Sequence, residues 1–311
     1  MNLVNHINTL LKSEISKEPN TVLFGQNIDA GSCLSGLTKG LSEINKGYTL
    51  NTPNIENALV GIGFGLMING VNSIFFMKQL DFLLLGVDQL VNTYNIVRHN
   101  SPEASFTILP VTVDSGYEGP QASLNNIDDF CSIANVSGFS FTNKKDAENI
   151  IKKYLFEPGF KIISTGQRLL KKDLVDVELI YKEHNLRFFQ YSKGKSVTIV
   201  CFNHALQYGM SLKSNIEKSG GSVSLFSINA HDYSRYEYIL SDISESRKVV
   251  LIDDSKSKNR VLDKVLLDVL QSCTLKKKIV ITPIQEDDFY FPREDNLKID
   301  YDRVTSDLLG N

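Results

Sequence analysis

Asn51-Thr52-Pro53-Asn54-Ile55-Glu56 leads directly into the apolar, small-residue run Ala58-Leu59-Val60-Gly61-Ile62-Gly63-Phe64-Gly65. Proline keeps the residue before it extended, so the first stretch predicts that the chain enters a helix from a strand-like segment. The second stretch is typical of an apolar helix that packs closely on its neighbours. Glu56 therefore lies at the mouth of this helix as a poorly hydrated carboxylate, which can share a proton with a bound ligand.

Short apolar runs of strand length alternate with helical segments on both sides of this stretch. In the first half, strands are predicted at 21–24, 73–77 and 106–113, and helical segments at 37–44 and 81–97. In the second half, strands are predicted at 197–202, 223–227, 248–252 and 279–282, and helices ending near 218 and 272. Alternation of helices with fully apolar strands predicts mostly parallel sheets that are covered on both faces.

The length of the chain, 311 residues, exceeds that of a typical single domain. The composition turns polar near residues 182–195. We therefore predict an α/β protein of two domains, each with a mostly parallel sheet flanked by helices. The predicted boundaries are 1–185 for the first domain, 186–194 for a linker and 195–311 for the second domain.

The composition excludes several classes of protein. Hydrophobic residues make up 42% of the chain and charged residues 22%, as in an ordinary globular protein. The net charge of −3, without a lysine or arginine stripe, argues against nucleic-acid binding. The sequence has no apolar run of about 18 residues, which a membrane span needs, and no signal peptide at its start. We therefore expect a cytoplasmic protein without membrane contact.

Cysteine and histidine spacing offers no metal site. The four cysteines are widely separated, which favours reduced thiols over a disulfide framework or a zinc site. The five histidines are scattered without ligand spacing. His204 and His231 are placed near predicted strand ends, where we expect a solvent-facing or capping role. No metal ligand is therefore predicted in this chain.

Several motifs, taken in order, resemble those of the β subunit of the first (E1) component of 2-oxo acid dehydrogenases, a family related to the C-terminal part of transketolase. They span about residues 20 to 290 and are Phe24-Gly25-Gln26-Asn27-Ile28, Leu37-Thr38-Lys39-Gly40-Leu41, Asn51 to Glu56, Asp81-Phe82 with Asp88-Gln89 and Asn92, and the strands near Val197 and Val249. The resemblance implies a pyrimidine-binding domain followed by a transketolase C-terminal-like domain.

The resemblance gives Glu56 a chemical role. In these subunits a glutamate at this position binds the pyrimidine N1′ of thiamine diphosphate and favours its imino tautomer, which then removes the thiazolium C2 proton. Glu56 is thereby implied to be both catalytic and cofactor-binding, with Leu80 and Phe82 as further cofactor contacts. Leu80 stands where the family has a ring-stacking aromatic residue. Taken alone, Glu56 is better explained as an acid favoured at a helix start. The flanking motifs reverse this preference.

The sequence lacks a Gly-Asp-Gly segment. In the family this segment and a downstream asparagine hold the cofactor diphosphate through Mg²⁺. The resemblance therefore implies an α-type partner subunit that carries the diphosphate and Mg²⁺ site. It also implies a β–β dimer within an α₂β₂ assembly, so that this chain is active only with its partner.

Departures from the family leave the reaction open. Ala122, in the segment 116–123, stands where these subunits carry a histidine, and alanine cannot shuttle a proton. Gln26 and Asn27 replace an acidic pair, and Asp114 replaces an arginine. The expected substrate is a 2-oxo acid or a ketose, which undergoes decarboxylation or two-carbon transfer. The alternatives are a true 2-oxo acid dehydrogenase E1 β subunit and a non-catalytic paralogue with a scaffolding or regulatory role.

Overall fold

The computed structural model describes residues 2–100, 102–114, 124–172, 177–283 and 297–310. These residues form two mostly parallel six-stranded sheets flanked by helices, which confirms the predicted fold class. Among them, no helix is both long enough and apolar enough to cross a membrane.

The first sheet is entirely parallel, with strand order β2-β1-β3-β4-β6-β5. Its strands are β1 (Val22–Gly25), β2 (Tyr48–Asn51), β3 (Ser73–Met77), β4 (Ser105–Thr112), β5 (Ser137–Phe141) and β6 (Gly159–Gly166). The helices of this half are α1 (Leu3–Ile15), α2 (Leu41–Ile44), α3 (Glu56–Ile68), α4 (Tyr94–Val97), α5 (Ile127–Ala134), α6 (Lys144–Tyr154) and α7 (Gln167–Leu170).

The second sheet has strand order β12-β11-β9-β10-β8-β7, and only its β7 and β8 run antiparallel to their neighbours. Its strands are β7 (Tyr181–Lys182), β8 (Phe188–Ser192), β9 (Val197–Phe202), β10 (Val223–Ile228), β11 (Lys248–Asp253) and β12 (Lys277–Ile281). Its helices are α8 (Leu206–Lys218), α9 (Glu237–Ser246), α10 (Val261–Ser272) and α11 (Tyr301–Leu309).

The first sheet is covered on both faces, as its apolar strands predict. Every residue of β3 is buried. Ile74 and Phe76 belong to the core beneath α1 and α6, whereas Phe75 and Met77 belong to the core beneath α3. Because strand side chains alternate between faces, α3 lies on one face of the sheet and α1 and α6 on the other.

The prediction of one helix over residues 81–97 is wrong. This region consists of a 3₁₀ segment (Leu80–Gly86), a π turn (Gln89–Thr93) and the short α4. Close packing on α3 accompanies the break, since a Cβ at Gly86 would lie 2.8 Å from a Val60 methyl. Apolar spacing does not distinguish between 3₁₀, α and π turns over so short a distance.

Residues 186–194, expected to form a linker, contain strand β8. All five of its residues are buried, and it pairs with β10 inside the second sheet. The polar residues before it include the short edge strand β7. The division of the chain into two domains stays a prediction.

The glycine-rich helix α3 packs tightly at one position, and this makes a test of the fold possible. A Cβ on Gly63 would lie 2.2 Å from Cζ of the fully buried Phe106. We expect Gly63→Ala to lower the free energy of unfolding by about 1–3 kcal/mol, the usual cost of overpacking. The matched control is Gly65→Ala, two residues later, where a Cβ meets no atom within 4 Å. Urea unfolding that showed the two variants to be equally stable would contradict this packing.

Candidate functional site

Glu56 begins α3 at the carboxyl edge of the first sheet. The N–H of Thr52, just beyond β2, donates to the carbonyl of Gly25 at the end of β1 (3.1 Å), which confirms the extended entry into the helix. The Glu56 side chain is only 5% exposed. Among the described residues, neither Glu56 Oε2 nor Thr52 Oγ1 has a hydrogen-bond partner. A buried carboxylate oxygen without a donor is costly, so this position suits a ligand that supplies one.

Leu80 and Phe82 lie in the 3₁₀ segment that packs against α3. Leu80 is 1% exposed and belongs to the same core as Leu59 and Val60 of α3. Phe82 is partly buried and packs against that core. The three sequence-predicted site residues therefore lie on two adjoining elements. Phe82 retains more surface for a ligand than Leu80 does.

A polar contact ties the start of α3 to the π turn. Gln89 Nε2 donates to Asn57 Oδ1 (3.1 Å), and Thr93 Oγ1 donates to Gln89 Oε1. Asn92 Nδ2 donates to Asp88 Oδ1 (2.7 Å) within the same segment. Of these motif residues, Gln89 thus contacts the helix that carries Glu56, a positioning role that sequence reasoning did not identify, whereas Asp88 and Asn92 pair within their own segment.

Large apolar side chains on the elements next to Glu56 are exposed. Ile55 and Ile62 flank it along α3, with 48% and 50% of their surface exposed. Leu84 and Leu85 on the 3₁₀ segment are 49% and 58% exposed. Exposed large apolar side chains on two elements that pack together indicate an interaction surface.

A second polar cluster joins the two sheets through Arg168, the second residue of α7. Its guanidinium lies 3.3 Å from Asp114 Oδ2 and also pairs with Asp254, and both carboxylates are fully buried. Burial lowers the pKa of Arg168, but the carboxylates of Asp254 and Asp114 outweigh it and raise the pKa above its ordinary value. The Arg168 backbone N–H also donates to Asp114 Oδ1 (2.8 Å).

His231 also joins the two sheets. Its imidazole contacts Ser140 Oγ through Nε2 and Asp128 through Nδ1, and both partners belong to the first half of the chain. Two backbone hydrogen bonds run beside it, from the His231 N–H to Gly138 O (2.9 Å) and from the Ser140 N–H to Asn229 O (2.8 Å). The expectation of a solvent-facing or capping histidine is wrong here, because this side chain is buried.

His204 follows β9 and is buried as well, so the same expectation is wrong for it. Burial and the nearby Arg168 guanidinium lower the pKa of His204 well below its ordinary value, so the ring is neutral. Its backbone N–H donates to Asp254 Oδ1 (3.0 Å). In the sequence, only the position of His204 at a predicted strand end indicated that this residue has a structural or functional role.

A buried carboxylate at this junction predicts a pH dependence of stability. Burial and the neighbouring Asp128 and Asp254 raise the pKa of Asp253 to about 7, although the Ser255 N–H lowers it. In the unfolded chain an aspartate titrates near about 3.9. Between these values the folded state holds more protons, so stability falls as pH rises from about 4 to about 7.

We expect Asp253→Asn to flatten this fall, because asparagine cannot ionise. Urea unfolding at a series of pH values across this window measures it. Asp307→Asn, at an exposed position on α11, is the matched control and should keep the wild-type slope. Parallel curves for Asp253→Asn and the wild type would contradict the assignment.

Two sequence predictions concern other parts of the chain. Ala122 and the segment 116–123 lie outside the described residues. Within the described ranges, no group of three or more histidine, cysteine, aspartate or glutamate side chains is placed to hold a metal ion. All four cysteines are free thiols.

Comparison with known proteins supports the sequence resemblance. No family model matches the chain. The pyruvate dehydrogenase E1 component subunit beta of Staphylococcus epidermidis is 19% identical over 301 residues, covering 94% of this chain and 91% of that subunit. The 2-oxoisovalerate dehydrogenase subunit beta of Bacillus subtilis is 20% identical over 300 residues, covering 88% and 85%. The predicted resemblance to E1 β subunits is therefore confirmed over nearly the whole chain.

Solved structures show the same fold. A split-gene transketolase, described as an inactive β4 tetramer, has a TM-score of 0.68 at 13% identity, covering 98% of this chain and 97% of that one. The transketolase of Campylobacter jejuni also has a TM-score of 0.68, at 12% identity. It matches 94% of this chain but only 43% of its own length. The fold is thus transketolase-like and corresponds to part of the single-chain enzyme.

Proposed function

We propose that this chain is the β-type, pyrimidine-binding subunit of a two-subunit thiamine-diphosphate enzyme that acts on a 2-oxo acid or a ketose. The observation that carries the proposal is the buried Glu56 carboxylate at the start of α3, whose Oε2 has no donor among the described residues. A protonated pyrimidine nitrogen is a donor of the kind that this oxygen needs.

Glu56 holds and shares a proton at the pyrimidine N1′ in this proposal. Its burial favours such sharing, since a carboxylate away from water gains most from a close donor. Phe82 and Leu80 would bound the ring on its apolar sides. When bound, the cofactor supplies the carbanion chemistry, and the protein supplies orientation and proton control.

The partner is an α-type subunit that binds the cofactor diphosphate and Mg²⁺, in an α₂β₂ assembly with a β–β dimer at its centre. Two observations support a partner chain. The sequence has no Gly-Asp-Gly segment, and the side chains of Ile55, Ile62, Leu84 and Leu85 beside Glu56 are exposed. The split-gene transketolase that shares this fold is described as an inactive β4 tetramer.

The names of the relatives favour a 2-oxo acid as substrate, because both are subunits of 2-oxo acid dehydrogenases. The alanine at position 122 favours a two-carbon transfer without the acyl-transfer histidine. Decarboxylation followed by carbon–carbon bond formation satisfies both observations.

Calorimetry with thiamine diphosphate and Mg²⁺ tests the proposal. The chain has no tryptophan, so its own tryptophan fluorescence cannot report binding. The titration compares this chain, a partner chain that carries Gly-Asp-Gly and the downstream asparagine, and the two together. We expect tight binding by the pair alone. If the pair assembles but binds no cofactor, the chain is a scaffolding paralogue and the proposal is wrong.

A further inference from the structure

A small cavity lies at the carboxyl edge of the first sheet, on the face opposite α3. Its volume is about 130 Å³. Val111 of β4, which lines it, belongs to the core beneath α1 and α6, whereas α3 covers the other core. The carboxyl edge of a parallel sheet is where α/β proteins commonly bind ligands. Glu56 does not line this cavity, and the cavity's position at the sheet edge suits ligand binding in its own right.

The walls of the cavity are divided between polar and apolar groups. The polar lining comes from the ends of several strands and from the loop after β1, and includes Asn27, Ser35 and Lys78. The apolar lining includes Val111, Val113 and Leu170. Such a wall, with a few convergent polar groups, is typical of a site for a small organic molecule.

Lys78 gives the cavity a positive charge. It follows β3 directly, and its side chain is exposed. Among the described residues, no carboxylate forms a salt bridge with it. The cavity thus offers an uncompensated cation beside hydrogen-bonding groups, which favours an anionic ligand.

The loop that forms one wall holds an uncommon conformation. Cys33, Leu34 and Ser35 are consecutive non-glycine residues in the left-handed region, with φ values of 47°, 50° and 60°, and Gly36 continues the turn. Left-handed conformations cost energy for residues with a Cβ and are rarely consecutive. Strain of this kind is found preferentially at ligand sites. This turn brings Leu34 and Ser35 to the cavity.

We propose that the cavity binds a short-chain carboxylate of about three to five carbons, with its carboxylate on Lys78 and its alkyl end against Val111 and Val113. The size follows from the volume, because a cavity of about 150 Å³ holds a molecule of about six non-hydrogen atoms. Asn27 and Ser35 hydrogen-bond a second oxygen of the ligand. Phosphate fits less well, because phosphate sites are built from several N–H groups or cations and need no apolar wall.

The test is calorimetric titration of the full chain with sodium pyruvate, up to about 10 mM to detect a millimolar site. Lys78→Met should weaken binding by about tenfold or more, the loss expected for one charge-assisted contact. One control should bind as the wild type does: Lys46→Met, which removes another exposed lysine.

Methyl NMR of the valine side chains gives the location independently of affinity. Pyruvate should shift the signals of Val111 and Val113, while neutral 2-butanone at the same concentration should not. Three results would overturn the proposal: no pyruvate binding, equal binding by Lys78→Met, or saturation by inorganic phosphate in place of pyruvate. Since none of these readouts uses thiamine diphosphate or a partner chain, they stand or fall separately from the proposed function.

Discussion

Replacing Glu56 by glutamine is expected to lower turnover of the reconstituted two-chain enzyme by about 10²–10⁴-fold, the range that a positioned proton-transfer group contributes. Glutamine has nearly the same shape as glutamate and can still fill the space at the start of α3. It cannot hold the ring proton as a carboxylate does, because its amide carries no charge and does not take up the proton. Steady-state assays at saturating cofactor measure the change.

The fold should tolerate this substitution. The wild-type carboxylate is buried with one oxygen lacking a donor among the described residues, so removing its charge leaves the free energy of unfolding unchanged or higher. Glu43→Gln, at an exposed position in α2, is the matched control and should retain full activity. Turnover by Glu56→Gln equal to that of Glu43→Gln would show that Glu56 is only a helix-start residue.

Replacing Arg168 by methionine should lower the free energy of unfolding by about 3–5 kcal/mol, the usual cost of removing one partner from a buried ion pair. The loss is large because Asp114 and Asp254 are both fully buried and would remain without their shared cation. Methionine replaces the aliphatic part of the side chain, so the lost charge dominates the effect. Urea unfolding measures it.

The control for Arg168 is Arg303→Met, at an exposed position on α11, where a change within about 0.5 kcal/mol is expected. The double variant Arg168→Met with Asp254→Asn should recover part of the lost stability, since it removes one of the unpaired carboxylates. Equal stability of Arg168→Met and Arg303→Met would mean that this cluster does not hold the two sheets together.

The parts of the fold that the sequence predicted are those in which local pattern decides the structure. The mostly apolar runs at 73–77 and 197–202 are strands with those same bounds, since a strand buried on both faces needs mainly apolar residues. Pro53 and the run after it correctly predicted an extended segment leading into α3. Less apolar strands were missed, among them β5, whose Ser137–Phe141 sequence alternates small and polar residues with phenylalanine.

The candidate site was predictable only in part, for a similar reason. Glu56 was found because its neighbours form a local motif. Arg168 was not found, because its partners Asp114 and Asp254 lie 54 and 86 residues away in the sequence. His231 likewise contacts Asp128 across 103 residues. Such contacts depend on how the two sheets pack together, and no local pattern in the sequence reports that packing.

The most direct test of the proposed role of Glu56 is the rate at which the C2 proton of bound thiamine diphosphate exchanges with deuterium. The measurement uses the complex of this chain with its α-type partner and Mg²⁺, quenched in acid and read by proton NMR. If Glu56 controls the pyrimidine proton, the wild-type complex exchanges rapidly and Glu56→Gln slows exchange by about 100-fold or more. Equal exchange rates in the two complexes, with cofactor bound in both, would contradict the proposed role of Glu56.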